Sequence, residues 1–453
     1  MPRFPSLRWL VAASAVGVVL TVVPVPAVAL GPPETLATSR ALGPLAGPAP
    51  VVDPSFAVDY LSVSWLSGER PEVRFRRPDG WATWTRVQLD DIQTGDGRTY
   101  GALTSAAGAD AYQVRGDARG VEALALNTTD GPRPILWQDP SIIAAAPAQP
   151  ATITRAQWGA DENLRFNGGT EKCTRTFYPT QKLIVHHTVT ANADPDPAAT
   201  VRAIYYDHVV NRGFCDIAYN FLVDAQGHLY KGRYSGPKNT KTQDTITGEN
   251  AAGNGVTGAH TGGYNSGTMG IAVLGNYVLT PIPDAARLAL VQHLAWEAAR
   301  HGLPPLSTST YTNPDSGAKK TTPNITGHRD YTPTQCPGES LYQALPGIRQ
   351  EVAALVGSID AKPPRISAID PKNVTTRFVI VRWRTSEPAT GQLQYWAPRR
   401  KRRTTKMDGH LSRQHKAGVR GLPKDRRFRY RVFGADAAGN AAWSRPKRFD
   451  TFG

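Results

Sequence analysis

The stretch Leu183-Ile184-Val185-His186-His187-Thr188 decides the fold. An unbroken apolar run ending in two histidines reads as a strand buried on both faces, delivering His186 and His187 to a loop at its end. A second fragment, Ile325-Thr326-Gly327-His328-Arg329-Asp330, places another histidine 142 residues beyond His186, and Cys336 follows eight residues after His328. Two imidazoles and one thiolate suit tetrahedral zinc and can leave the fourth position to water, which separates a hydrolytic metal from a structural one. A lone histidine says little about metal binding. Here the histidine closes an apolar strand, and Cys336-Pro337-Gly338 would hold a thiolate at a turn. In an oxidising compartment a reduced cysteine persists best when a metal protects it.

Around this strand both periodicities occur. Residues 199–212 read as an amphipathic helix with Val201, Ile204, Tyr205, His208 and Val209 on one face, and Gly213 suits its stop. Tyr219 to Val223 and His228 to Tyr230 read as a hairpin about Ala225-Gln226-Gly227, and Gly270 to Leu274 as another strand. Residues 284–301 predict a helix with Leu288, Val291, Leu294 and Ala298 facing inward, and 340–356 a last helix. Strands alternating with helices predict an α/β domain, a mixed central sheet flanked by helices, over residues 151–357.

The rest of the 453 residues divides by composition. Residues 1–29 read as a signal peptide: Arg3 and Arg8 precede an apolar run, and Ala27-Val28-Ala29 suits cleavage. Pro24 and Pro26 weaken the rival reading of a membrane anchor, and no later stretch is apolar enough for a stable span. Residues 30–50 look like a flexible Pro/Ala/Gly lead-in. Residues 51–143 alternate apolar and polar positions and predict a β-sandwich-like domain, with Trp65, Trp81 and Trp84 as core or cross-strand aromatics. Residues 144–150 form a linker. Residues 363–453 again alternate, and loosely resemble a fibronectin type III β-sandwich through Trp383, Tyr395 and the closing Asp436-Ala437-Ala438-Gly439-Asn440.

Charge is concentrated at one end. Residues 361–453 carry 23 Lys and Arg against 6 Asp and Glu, a net +17 within a chain total of +15. The run Arg399-Arg400-Lys401-Arg402-Arg403 resembles a nucleic-acid signal, but a secretory leader argues against nucleic acid as a partner. An anionic polymer outside the cell is the expected partner of this domain, with salt-sensitive binding. The three cysteines are accounted for if Cys173 and Cys215 bridge while Cys336 holds metal, although two other pairings exist.

The central region resembles the peptidoglycan recognition protein family, which includes the zinc-dependent type 2 N-acetylmuramoyl-L-alanine amidases. The resemblance rests on Arg155-Ala156-Gln157-Trp158-Gly159-Ala160, Val185-His186-His187-Thr188 and Cys215-Asp216-Ile217-Ala218-Tyr219-Asn220-Phe221. It continues through Gly258-Ala259-His260-Thr261-Gly262-Gly263-Tyr264-Asn265-Ser266, Gly270-Ile271-Ala272-Val273-Leu274-Gly275-Asn276-Tyr277 and Gly327-His328-Arg329-Asp330, in the family's order. It implies one zinc ion per chain held by His186, His328 and Cys336. It implies Tyr219 as the catalytic tyrosine, Thr334 at a second catalytic position, and His187, Thr188, His260, Tyr264 and Asn265 as contacts to a muramyl peptide. Hydrolysis of the amide between the lactyl group of N-acetylmuramic acid and L-alanine of peptidoglycan is then the expected reaction, outside a bacterial cell. The alternative is a peptidoglycan-binding protein without catalysis; such members typically lack the cysteine, which this chain keeps. The motifs offer no carboxylate as general base; Asp330 is the nearest candidate in sequence, more readily read as pairing with a neighbour.

Overall fold

The computed structural model describes residues 34–92, 94–130, 149–358, 363–436 and 441–453. The expected signal peptide and most of the expected linker lie outside these residues. Among the described residues, no helix is long and apolar enough to cross a membrane.

The first domain is a nine-stranded sheet organised on one long strand, Ala111–Asn127. Along one edge it pairs with Leu36–Pro48, from Leu36 opposite Asn127 to Pro48 opposite Arg115. Along the other it pairs in succession with Val58–Trp65 and Glu72–Arg77. A strand of 17 residues can serve two partners end to end, which joins all of these strands into one connected sheet around a single core. The lead-in expected at 30–50 is also corrected, because most of it is the strand Leu36–Pro48. Its Gly43, with φ +68°, sits at an irregularity that lets a Gly/Pro-rich segment stay in register. Trp65 lies in the core with Val63, Val73 and Phe75. Trp81 and Trp84 do not: they are half-buried and cover the guanidinium of Arg74, each 4.6 Å from it.

The second domain carries a six-stranded sheet in the order Thr152–Ile153, Leu229–Lys231, Phe221–Val223, Thr268–Val273, Lys182–His187, Ile325–Gly327. Only Phe221–Val223 and Leu229–Lys231 run antiparallel, which makes the sheet mixed as expected. Lys182–His187 has a parallel neighbour on each side, and all six of its residues are buried. Leu183 and Val185 pack against the helices Asp284–Arg300 and Glu339–Ser358 through Leu290, Leu294, Leu345 and Ile348. Val291, Leu294 and Ala298 face inward as expected, joined by Ala286 and Leu290, whereas Leu288 is 54% exposed. The helix expected at 199–212 starts at Pro197, capped by the Asp196 carboxylate, and its last turn, Asp207–Asn211, widens to a π-helix before Gly213.

The first two domains share a core. Tyr60, Ile92, Leu103, Leu124 and Leu126 of the first cluster with Trp158, Ile204, Tyr205, Val209 and Tyr219 of the second. Buried polar contacts cross the same boundary: Tyr60 Oη lies 2.5 Å from Thr200 Oγ1, and Arg202 donates to the Thr128 carbonyl at 2.6 and 3.1 Å.

The last domain is built on a second long strand, Phe378–Trp396. Its first half pairs with Ile366–Lys372 and Asp408–Arg420, and its second half with Arg427–Ala435. Val379, Val381, Trp383, Leu393, Tyr430 and Val432 fill the space between.

Candidate metal centre

Side chains alternate along a strand. With Leu183 and Val185 committed to one pair of helices, His186 points to the opposite face. His328 follows the neighbouring strand Ile325–Gly327 and opens a short 3₁₀ turn. That turn is tied by Asp330, which accepts from the Gly327 N–H at 2.9 Å, from the Thr326 hydroxyl and from Tyr342 Oη at 2.6 Å. Asp330 is thus a turn anchor, held by hydroxyls and an amide rather than by a basic neighbour. The chain then returns, and Cys336 places Sγ 3.5 Å from His186 Nδ1. One donor atom from each of His186, His328 and Cys336 lies within 4.8 Å of the others, and all three residues are buried.

These donors suit a metal ion in charge and in bonding. Burial, reinforced by the neighbouring His328, His260 and His187, pushes the His186 imidazole well below its ordinary value. Burial likewise brings His328 down to about 4. Both rings are therefore neutral, the state that ligation requires. Burial pushes the Cys336 thiol well up, so its thiolate needs a cation beside it. His328 Nδ1 is buried without a hydrogen-bond partner, while its Nε2 lies 3.1 Å from Thr332 Oγ1. Nδ1 of His186 faces Cys336, and its Nε2 lies 3.0 Å from His260 Nδ1, so a metal on Nδ1 would leave the proton on Nε2 for that contact. Metal-bound histidines characteristically spend their second nitrogen in this way.

His260 reaches this position because Gly270 leaves room. A Cβ at Gly270 would lie 2.4 Å from His260 Cγ and 2.7 Å from Nδ1. Tyr219 stands on the other side of His186, ring centroids 5.4 Å apart, and burial pushes its phenol well up.

A second group of donors, Asp91, His187 and Cys336, also lies within 4.8 Å. His187 is already committed: Nδ1 accepts the Tyr277 N–H at 3.1 Å, so the proton sits on Nε2, which donates to Asp91 Oδ2 at 3.1 Å. Neither nitrogen has a lone pair to spare, so of these two overlapping sets the one with His186 and His328 is fit to hold an ion.

The N-acetylmuramoyl-L-alanine amidase family matches residues 176–339. A peptidoglycan-recognition protein of Drosophila simulans is 30% identical over 175 residues, 38% of this chain and 75% of that protein. The chain belongs to the peptidoglycan recognition protein and type 2 N-acetylmuramoyl-L-alanine amidase family. A pig N-acetylmuramoyl-L-alanine amidase is 30% identical over 200 residues, covering 43% of this chain and 27% of that protein. The chain spans less than half the length of the mouse peptidoglycan recognition protein 3, which it also matches. Among solved structures, Drosophila PGRP-LB superposes with a TM-score of 0.30 at 22% identity, covering 43% of this chain and 92% of that one.

Within this family domain the residues expected at the site are brought together to different degrees. His187, Thr188 and His260 are buried. Thr188 Oγ1 accepts the Gly275 N–H at 3.0 Å, so it is part of the framework. Tyr264 and Asn265 are partly exposed; Tyr264 packs 4.9 Å from Tyr331, and Asn265 Oδ1 accepts the Thr261 N–H at 2.8 Å. Thr334 donates to Asp91 and accepts the Cys336 N–H at 3.1 Å. Cys173 and Cys215 form the disulfide, with Cα atoms 5.8 Å apart, and Cys336 is free and buried. Asp91 had no signal in the sequence, since it lies 96 residues from His187 in another domain.

Gly270→Ala is expected to drive the His260 ring off His186, costing about 1–3 kcal/mol as an overpacked core substitution does. Thermal unfolding and metal content of the purified chain should both fall. An unchanged melting temperature with full metal content would show that His260 does not need this space.

Proposed function

We propose that the chain is a zinc-dependent N-acetylmuramoyl-L-alanine amidase, secreted by a bacterium, that cleaves the amide between the lactyl group of N-acetylmuramic acid and L-alanine in peptidoglycan. The observation that carries this reading is the buried triad itself: two neutral imidazoles, one with an orphaned Nδ1, and a thiol whose ionisation requires a cation. His186, His328 and Cys336 would hold the ion. Bound there, zinc supplies Lewis acidity, acidifying water and polarising the scissile carbonyl.

The chain's own residues supply the rest. Tyr219, kept protonated by burial, offers a hydrogen-bond donor beside His186 for charge that develops on the carbonyl oxygen. Tyr264 and Asn265, the partly exposed members of the expected contact set, are the side chains available to a muramyl peptide; His187, Thr188 and His260 shape the wall behind them. Retention of the thiol supports catalysis over recognition alone. The reading extends to the leader at 1–29, which supports secretion, and to a fibronectin type III-like last domain, supported by strand groups meeting over Trp383.

The full chain, incubated with muramyl peptides and whole peptidoglycan, should release stem peptides that begin with L-alanine, detected by mass spectrometry. Release should stop with a zinc chelator and fall more than about 100-fold in Cys336→Ala, beyond the usual effect of losing an outer partner of a ligand. Tyr219→Phe should lose about 10²–10³-fold in turnover, as loss of an oxyanion donor does. Tight muropeptide binding with no release would leave a recognition protein.

For the basic domain, the proposed partner is an anionic wall polymer. A cavity of about 430 Å³ supports this: Arg400, Lys401, Arg403, Arg420 and Arg426 line it together with Tyr395, Trp396 and Phe428. Cations paired with aromatic rings suit a chain of phosphates and sugars or polyols. Cell-wall binding by the full chain should weaken with salt and drop severalfold at low ionic strength when Arg399→Glu and Arg400→Glu are combined. Unchanged affinity in that variant would remove the proposal.

A further inference from the structure

The surroundings of the metal centre include a carboxylate, Asp91, that comes from outside the amidase-like domain. Asp91 belongs to the first domain, in the segment that follows the bridge between Leu89 and Gly101. The residues on either side of it are fixed to the second domain. Arg212 donates Nη1 to the Ile92 carbonyl at 2.7 Å and Nη2 to Asp90 Oδ2 at 3.0 Å, while its Nε holds Asp207 at 2.6 Å. Ile92 is 4% exposed within the core that the two domains share. A segment gripped before and after Asp91, and anchored by a buried isoleucine, is a permanent part of the site rather than a removable lid.

The Asp91 carboxylate spends both oxygens on the site. Oδ2 accepts from His187 Nε2 at 3.1 Å, and Oδ1 accepts from the Thr334 hydroxyl. Burial alone would raise its pKa, but these two hydrogen bonds hold it below the ordinary aspartate range, so the carboxylate stays charged. Each donor is itself fixed. His187 is held from behind by the Tyr277 N–H. Thr334, having given its proton to Asp91, presents its oxygen to the Cys336 N–H at 3.1 Å. A continuous line therefore runs from the first domain through Asp91 and Thr334 to the backbone of Cys336.

We propose that Asp91 is a positioning residue of the metal centre, contributed by the β-domain, which holds Thr334 and His187 so that the loop carrying Cys336 keeps its thiol in ligating position. The inference rests on the zinc reading above. It assigns the β-domain a role that its sequence did not suggest, and it gives Thr334 the work of orienting a ligand. The donor set that contains Asp91 also needs His187, whose two nitrogens are already used, so Asp91 acts on the ligands His186, His328 and Cys336 from outside. Outer carboxylates of this kind change metal affinity by about 10–100-fold when removed.

The test uses the full chain and zinc alone, with affinity read by competition against a chromophoric chelator, and the thiolate-to-cobalt absorption band as a second readout on cobalt-loaded protein. Asp91→Ala and Thr334→Val should each weaken zinc by about 10–100-fold and shift the cobalt band. Thr334→Ser, which keeps the hydroxyl, should restore affinity to within a few-fold of the original chain. The double variant Asp91→Ala with Thr334→Val should lose no more than either single one, because both break the same line. An Asp91→Ala chain that keeps its melting temperature and its zinc affinity would overturn the proposal, as would one whose zinc affinity is unchanged and whose turnover rises. Should Asp91→Ala fail to fold, the Thr334 pair alone decides: equal zinc affinity in the Val and Ser variants would also overturn it. A wild-type chain that binds no zinc would instead remove the functional reading on which the inference stands.

Discussion

Two imidazoles and a thiol are buried together at the end of a strand that has a parallel neighbour on each side. Burial of that kind costs free energy unless the polar atoms are used. Lys182, on the same strand, shows such use: it gives its ammonium to Ser309, Thr322 and Asn324. At His328 the outward Nε2 has a hydroxyl partner and the inward Nδ1 has none, while His186 Nδ1 and the Cys336 thiol face one another. A cation in the middle would give these atoms a common partner, and several neighbouring residues keep the three convergent. Gly270 makes room for His260, Asp330 ties the His328 turn, and Thr334 ties the Cys336 loop.

The first domain is bound into this arrangement rather than appended to it. Its Ile92, Leu103 and Leu126 fill the same core as Trp158, Tyr205 and Tyr219, and Arg212 crosses the boundary as a buried, fully paired cation. A segment cut at residue 150 would leave that apolar surface open to water and would lose Asp91. The basic domain is of another kind, built on its own long strand with its own core and a cationic cavity.

Much of the central domain was legible because it is governed by local signals. The apolar run before His186 marks a strand buried on both faces, and its observed limits, Lys182–His187, match the reading. The period of 3.6 residues marked the helices, although Leu288 shows its limit: at the rim of a helix face a leucine can point to water when Ala286 and Leu290 already fill the contact. What escaped was decided at long range. Residues 36–48 have the composition of a linker, and only their register against 115–127 makes them a strand. Trp81 and Trp84 could be read as core or cross-strand aromatics; Trp81 is cross-strand, opposite Arg76, and that both rings cover Arg74 depends on contacts between strands. Asp91 is one of two adjacent aspartates with no motif around them, and its role emerges only where the two domains meet.

X-ray absorption of the zinc-loaded full chain tests the central claim most directly. The ligand set assigned here predicts one sulfur at about 2.3 Å and two imidazole nitrogens with one further light atom at about 2.0–2.1 Å. In Cys336→Ala the sulfur contribution should vanish. A spectrum without sulfur in the original chain, or a sulfur signal that survives that substitution, would contradict it.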